Sequence, residues 1–172
     1  MKKLVMVING KGGVGKDALC QALESRFSVV NISSITPIKE IAAQHGWQGE
    51  KTPEARRFLA ELKRIFVEYN NLPTRYLVEQ YQAFAEGDAD ILCVHIREAE
   101  EISKFVSRVS LPCITMLVRR RAVDEQSAYG NAADDGVNNY PYTHTFDNDL
   151  PLPESGAAFC ALIGEILDGG EG

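Results

Sequence analysis

No apolar run in this 172-residue chain reaches the roughly 20 residues that a membrane-crossing helix requires. The basic start Met1-Lys2-Lys3 leads into an apolar run that is short and broken by Asn9 and Gly10, unlike a secretory leader. Cysteine is sparse: Cys20, Cys93, Cys113 and Cys160 stand far apart in apolar surroundings, which excludes a disulfide framework and a paired-cysteine zinc site and reads as buried reduced thiols. Excess positive charge is missing as well. With 18 Lys and Arg against 24 Asp and Glu the formal net charge is −6, which argues against general binding to duplex nucleic acid and leaves any phosphate site to local cations. No internal repeat stands out. These absences leave a single domain over residues 1–172, cytoplasmic, with no nucleic-acid or membrane partner, as monomer or homodimer.

What is present is concentrated near the start. Gly10-Lys11-Gly12-Gly13-Val14-Gly15-Lys16-Asp17 follows the apolar run Leu4 to Ile8 and precedes a helix-like stretch from Ala18. Glycines in such a loop let backbone N–H groups close around a β-phosphate, the following helix offers its positive end, and the lysine reaches the β/γ oxygens. Strand, spacing, lysine and helix agree, so residues Gly10 to Ala18 are expected to bind a nucleotide. The residue after the lysine is ordinarily Ser or Thr, whose hydroxyl meets Mg2+; here it is Asp17.

Hydrophobic periodicity orders the rest. Leu4 to Ile8 reads as a central parallel strand buried on both faces, Val29 to Ser33 as a second, Ile91 to Ile96 as a third and Cys113 to Val118 as a fourth, with a short late strand around His144 to Phe146. Leu19, Leu23 and Phe27 stripe the helix after the loop. Pro37 opens a second helix with Thr36 as its cap, and Thr52-Pro53 opens a third. That third helix is expected to bury Phe58, Leu59, Leu62, Ile65, Phe66 and Tyr69, with Arg56, Arg57, Lys63 and Arg64 on the remaining surface. Helices follow over Pro73 to Phe84 and Glu98 to Val109, and Ser155 is expected to cap the last one. The stretch from about Ala122 to Pro153, rich in Asn, Asp, Gly, Tyr and Pro, suits a flap, and the tail from Gly169 is expected to fray. The order of elements implies an α/β fold, a doubly wound parallel five-stranded sheet.

Three stretches carry a family resemblance. Gly15-Lys16-Asp17, Thr36-Pro37-Ile38-Lys39-Glu40 after the second strand, and Arg97-Glu98 after the third resemble the P-loop kinases of the phage-type deoxynucleoside monophosphate kinase family and, more distantly, animal-type phosphomevalonate kinase. Where that family has Asp-x-Arg, this chain has His95-Ile96-Arg97. The resemblance implies a P-loop kinase fold with an acceptor-binding helical insert at about 34–86 and a lid at about 119–143. ATP and Mg2+ are the implied cofactors and a small phosphorylated molecule, foremost a nucleoside or deoxynucleoside monophosphate, the acceptor.

Phosphoryl transfer needs positioning and charge neutralisation, so roles fall to cations. Lys16 is expected on the β/γ-phosphates, Asp17 at Mg2+ through water, and Arg97 on the acceptor phosphate. Arg119 and Arg121 would reach the transferring group when the flap closes, and Lys39 with Arg57 or Arg64 would face the acceptor if the insert folds as in relatives. His95 is open between a general base and a hydrogen-bonded structural role. Two other readings stay open: a nucleotide-binding protein without transfer, and a partition-type ATPase switch, suggested by Lys11 but lacking Thr after Lys16.

Overall fold

The structure, a computed structural model, describes residues 2–126 and 136–169. Five strands, β1 (Leu4–Asn9), β2 (Val29–Ser33), β3 (Ile91–His95), β4 (Cys113–Arg119) and β5 (His144–Asp147), form one sheet in the order β2-β3-β1-β4-β5. Every pairing is parallel. All six residues of β1 are buried, as its unbroken apolar run requires of a strand covered on both faces.

Side chains alternate across the strands and feed two cores. Leu4, Met6, Ile8, Ile91, Cys93 and Met116 pack with α1 (Lys16–Leu23) and the last helix α7 (Leu152–Gly169), through Leu19, Leu23, Phe159 and Ile163. Val5, Val7, Leu92 and Val94 pack on the other face with α4 (Leu72–Glu86) and α5 (Ala99–Val106), through Leu77, Phe84, Ile102 and Phe105. The doubly wound sheet expected from the sequence is therefore observed. No helix of the described residues is long and apolar enough to cross a membrane.

The region between β2 and β3 is wholly helical: α2 (Thr36–Gln44), α3 (Pro53–Asn70) and α4. Thr52 caps α3 as expected, its Oγ1 accepting from Ala55 N at 3.1 Å. Thr36 does not cap α2; it is the first helical residue, and Ile35 precedes it with no side-chain bond. Ser155 does not cap α7 either, because the helix begins three residues earlier and the buried Ser155 hydroxyl donates to Leu150 O. The third helix departs most from its pattern. Leu59, Leu62 and Phe66 pack on Ile38 and Ala42, yet Phe58, Ile65 and Tyr69 are 48%, 51% and 82% exposed, because α3 is supported along only one narrow side.

Within the expected flap, a helix α6 (Arg121–Gln126) and a single turn at Val137–Asn139 were not anticipated. Residues 127–135 of that flap, and the tail beyond Gly169, lie outside the described residues. Asp149 Oδ1 accepts from Arg121 N at 2.7 Å, so α6 is capped from 28 positions away in the chain.

Candidate active site

The phosphate loop leaves the carboxyl end of β1, where parallel sheets place ligands. Three of its four glycines are sterically required. A Cβ on Gly10 would lie 2.6 Å from Val118 O, and Gly13 and Gly15 hold φ of +85° and +87°, a region that L side chains rarely adopt. The turn delivers Lys16 as the first residue of α1, so the first-turn amides of that helix open onto the loop. Lys16 Nζ folds back across the loop and donates to Gly10 O at 2.7 Å.

Two asparagines that the sequence reading passed over brace the loop from below. Asn9 Oδ1 accepts from Gly10 N at 2.9 Å, while its Nδ2 donates to Arg97 O and to the Tyr142 hydroxyl, each at 2.9 Å. Tyr142 in turn donates to Val137 O at 2.6 Å. Asn148, buried just beyond β5, donates to Val14 O at 2.8 Å, and a Cβ on Gly15 would strike it at 2.6 Å. The two share one local feature, an amide side chain at the carboxyl end of a strand: Asn9 closes β1 and Asn148 follows β5.

On the β3 side, Asp17 and Cys20 stand one turn apart on α1 and face Cys93 and His95, which alternate onto one face of the sheet. His95 Nδ1 is 3.9 Å from Asp17 Oδ1, and its Nε2 is 3.3 Å from Asn31 Oδ1. The hydrogen bond with Cys93, and secondarily His95, brings the Cys20 thiol down to about 6 against the opposing push of burial. Sharing that proton, and burial, push Cys93 well above its ordinary value. All four cysteines are free, as expected, but only Cys20 and Cys93 are buried; Cys113 and Cys160 are partly exposed.

Lys63 corrects the sequence reading most sharply. Placed on the open surface by helical periodicity, it is only 8% exposed and reaches the carboxyl edge of the sheet. There its ammonium donates to both Glu98 carboxylate oxygens, at 2.8 and 3.0 Å, and to Ser34 Oγ at 3.1 Å. An ammonium has three N–H groups, and these contacts use all of them. Helix α3 is thereby tied to the ends of β2 and β3.

The remaining candidate cations are dispersed. Arg97 is exposed two residues past β3, and Arg119 is exposed at the end of β4, its Nε donating to Asp147 Oδ1 at 3.1 Å. These two flank the loop on opposite sides because β1 lies between β3 and β4. Arg121 is exposed at the start of α6. Lys39 on α2 and Arg57 on α3 are exposed on the insert, and Arg64 lies between Glu61 and Glu68 at 3.0 and 3.1 Å. Lys11 sits 3.5 Å from Asp124 of α6.

Among the described residues no three His, Cys, Asp or Glu side chains group to hold a metal by themselves. Mg2+ does not ask for such a cage, since it binds through one or two carboxylates, water and substrate phosphates. Asp17 fits that demand: its side chain is 98% exposed at the first turn of α1, next to Lys16.

No family model matches the chain, and no curated protein does. Solved structures do. A candidate kinase from Chloroflexus aurantiacus superposes with a TM-score of 0.60 at 14% identity, over 99% of both chains. The tunicamycin resistance protein of Deinococcus radiodurans gives 0.59 at 15% identity, over 95% of this chain and 96% of its own. The APS kinase of Mycobacterium tuberculosis gives 0.54 at 11% identity, over 95% and 98%. Such identities speak for the fold alone, a parallel five-stranded α/β sheet that this chain shares with these structures.

Proposed function

We propose that this chain is a kinase that moves the γ-phosphoryl group of ATP to a small phosphorylated acceptor. A nucleoside or deoxynucleoside monophosphate is the class its motifs favour. The observation that carries this reading is the loop itself: Lys16 at 2.7 Å from Gly10 O, inside a ring of glycines, at the open end of a parallel sheet. The likeness of the whole chain to kinase structures supports it.

In this mechanism the α1 amides take the β-phosphate and Lys16 exchanges Gly10 O for the β/γ oxygens. Asp17 faces the metal side through water. Mg2+, when bound with ATP, supplies neutralisation of the β/γ charge. An acceptor oxygen attacks the γ-phosphorus, the bond to the β-bridging oxygen breaks, and ADP leaves. Arg97 on one side and Arg119 on the other stabilise charge on the equatorial oxygens. Arg121 joins them as the lid closes. Lys39, Arg57 and, once released from its glutamates, Arg64 steer the acceptor phosphate over the insert.

An ADP-release assay over ribo- and deoxynucleoside monophosphates and phosphomevalonate tests the reading. Turnover with one of them is expected. Arg97→Ala should lower that turnover by about 10²-fold, in line with removal of one transition-state donor, while leaving ATP affinity within about twofold. ATP binding without transfer to any acceptor would favour the non-catalytic alternative.

A further inference from the structure

Helix α3 carries two apolar faces, and the single chain uses one of them. Leu59 and Phe66 hold it to Ile38 and Ala42 of α2, while Phe58, Ile65 and Tyr69 stay exposed. With the half-buried Leu62, these three fall four, three and four positions apart, the spacing of the a/d seam along which one helix packs on another. Lys63, drawn to Glu98 and Ser34, leaves the helix on roughly the opposite side, so the seam faces away from the sheet. A continuous stripe of this kind, unlike single scattered apolar residues, marks an interaction surface.

The charges beside the seam say what covers it. Along one edge run Arg57, Glu61, Arg64 and Glu68, again four, three and four positions apart and alternating in sign. Reversed end to end, that row presents the opposite sign at each place. Two copies of α3 laid antiparallel about a two-fold axis bring the same edge of each together. With the axis between Leu62 and Lys63, Arg57 meets Glu68 of the second copy and Glu61 meets its Arg64. In that register Phe58 falls between Ile65 and Tyr69 of the second copy, and the two Leu62 side chains meet at the axis. A parallel pair would instead set the charged edge against the side where Leu59 and Phe66 are already packed on α2.

We propose that the Phe58, Leu62, Ile65 and Tyr69 face of α3 joins two copies of this chain in an antiparallel, two-fold symmetric dimer. The seam supplies the affinity, and the charged row fixes orientation and register. One helix face is smaller than the roughly 800 Å² per partner of a standard interface, so the dimer forms with a Kd in the micromolar range. It buries the three residues that periodicity assigns to the interior and the single chain leaves in water. The inference goes beyond the kinase reading and does not rest on it. In the dimer Arg57 and Arg64 are engaged by glutamates of the second copy, and their steering of the acceptor belongs to the dissociated chain.

Sedimentation velocity of the full chain, from about 1 µM to about 500 µM, tests it. The weight-average mass is expected to rise with concentration from that of one chain toward that of two. Ile65→Lys should weaken association by about tenfold or more, as loss of a central interface contact does. Tyr69→Lys, at a position that the single chain leaves almost fully in water, should do the same, and circular dichroism confirms that each variant keeps its helices. Glu61→Lys with Glu68→Lys makes the row uniformly positive and should also weaken association by about tenfold. Adding Arg57→Glu and Arg64→Glu to that pair reverses every sign, restores the match between copies, and should bring association back to within about threefold. A single-chain mass at every concentration overturns the inference and leaves the face to another protein. Association that survives both Ile65→Lys and Tyr69→Lys, or that ignores the charge reversals, overturns it as well.

Discussion

Lys16 folds its ammonium back over the loop, where it donates to the carbonyl of Gly10. Lys16→Ala is therefore expected to abolish detectable ATP binding while costing little stability, since a half-buried hydrogen bond such as that to Gly10 O contributes only about 1 kcal/mol; fluorescence titration with an ATP analogue and a urea melt read the two effects separately. Cys113 behaves differently. Burial pushes its thiol from 9.0 up to about 11, and the same cause raises Tyr140 and Tyr142. A group whose folded pKa lies above its unfolded value binds the extra proton in the folded state, so its stabilisation is complete below pH 9.0 and is lost as pH rises through about 11. Urea midpoints measured from pH 8 to pH 11.5 should fall with pH, and Cys113→Ala should fall less steeply than the unaltered protein. An identical slope in both would assign the loss to the other raised groups, Cys93 and the two tyrosines.

Helix α3 shows how an element is fixed by one side chain. Its apolar strip of Leu59, Leu62 and Phe66 is narrow, and the second attachment is the buried Lys63 with Glu98 and Ser34. Breaking a buried pair costs roughly 3–5 kcal/mol, and the half-exposed Glu98 side chain, which water can solvate once released, reduces this to about 1–3 kcal/mol. Lys63→Ala should lose that amount in urea unfolding, and Lys63→Met, which keeps the stem packed, should lose less. Because Glu98 adjoins Arg97, the same variants should raise KM for the acceptor more than for ATP. Equal changes in both constants would show that the pair is a strut without bearing on the acceptor side.

For the whole molecule, ligand and fold are linked. ATP with Mg2+ at about 100 times its Kd should stabilise the folded chain by about 2.7 kcal/mol, a rise in Tm of roughly 5–10 °C for a domain of this size. Lys16→Ala should abolish the rise, and a persistent rise would place the nucleotide elsewhere. The sheet was legible because buried parallel strands are written as contiguous apolar runs, and β1, β3 and β4 appear that way. The loop was legible because it is local: eight consecutive residues and the elements on either side. Asn9 and Asn148 were not, since an amide becomes a brace only when β5 and the segment around Tyr142 return to the loop. α6 was missed for a related reason, its cap being Asp149 on a distant turn.

Sequence alone determined the layered parallel architecture, the glycine cradle with its lysine, and the absence of a hydroxyl after that lysine, because each depends on neighbours a few positions apart. Tertiary structure decided which cations are engaged and where. Arg64 is held by its own helix, Lys63 is drawn under α3 to Glu98, and His95 is set between Asn31 and Asp17. The physical reason is range: periodicity assigns a side chain to a face of its helix, but the partner that meets it there comes from another part of the chain.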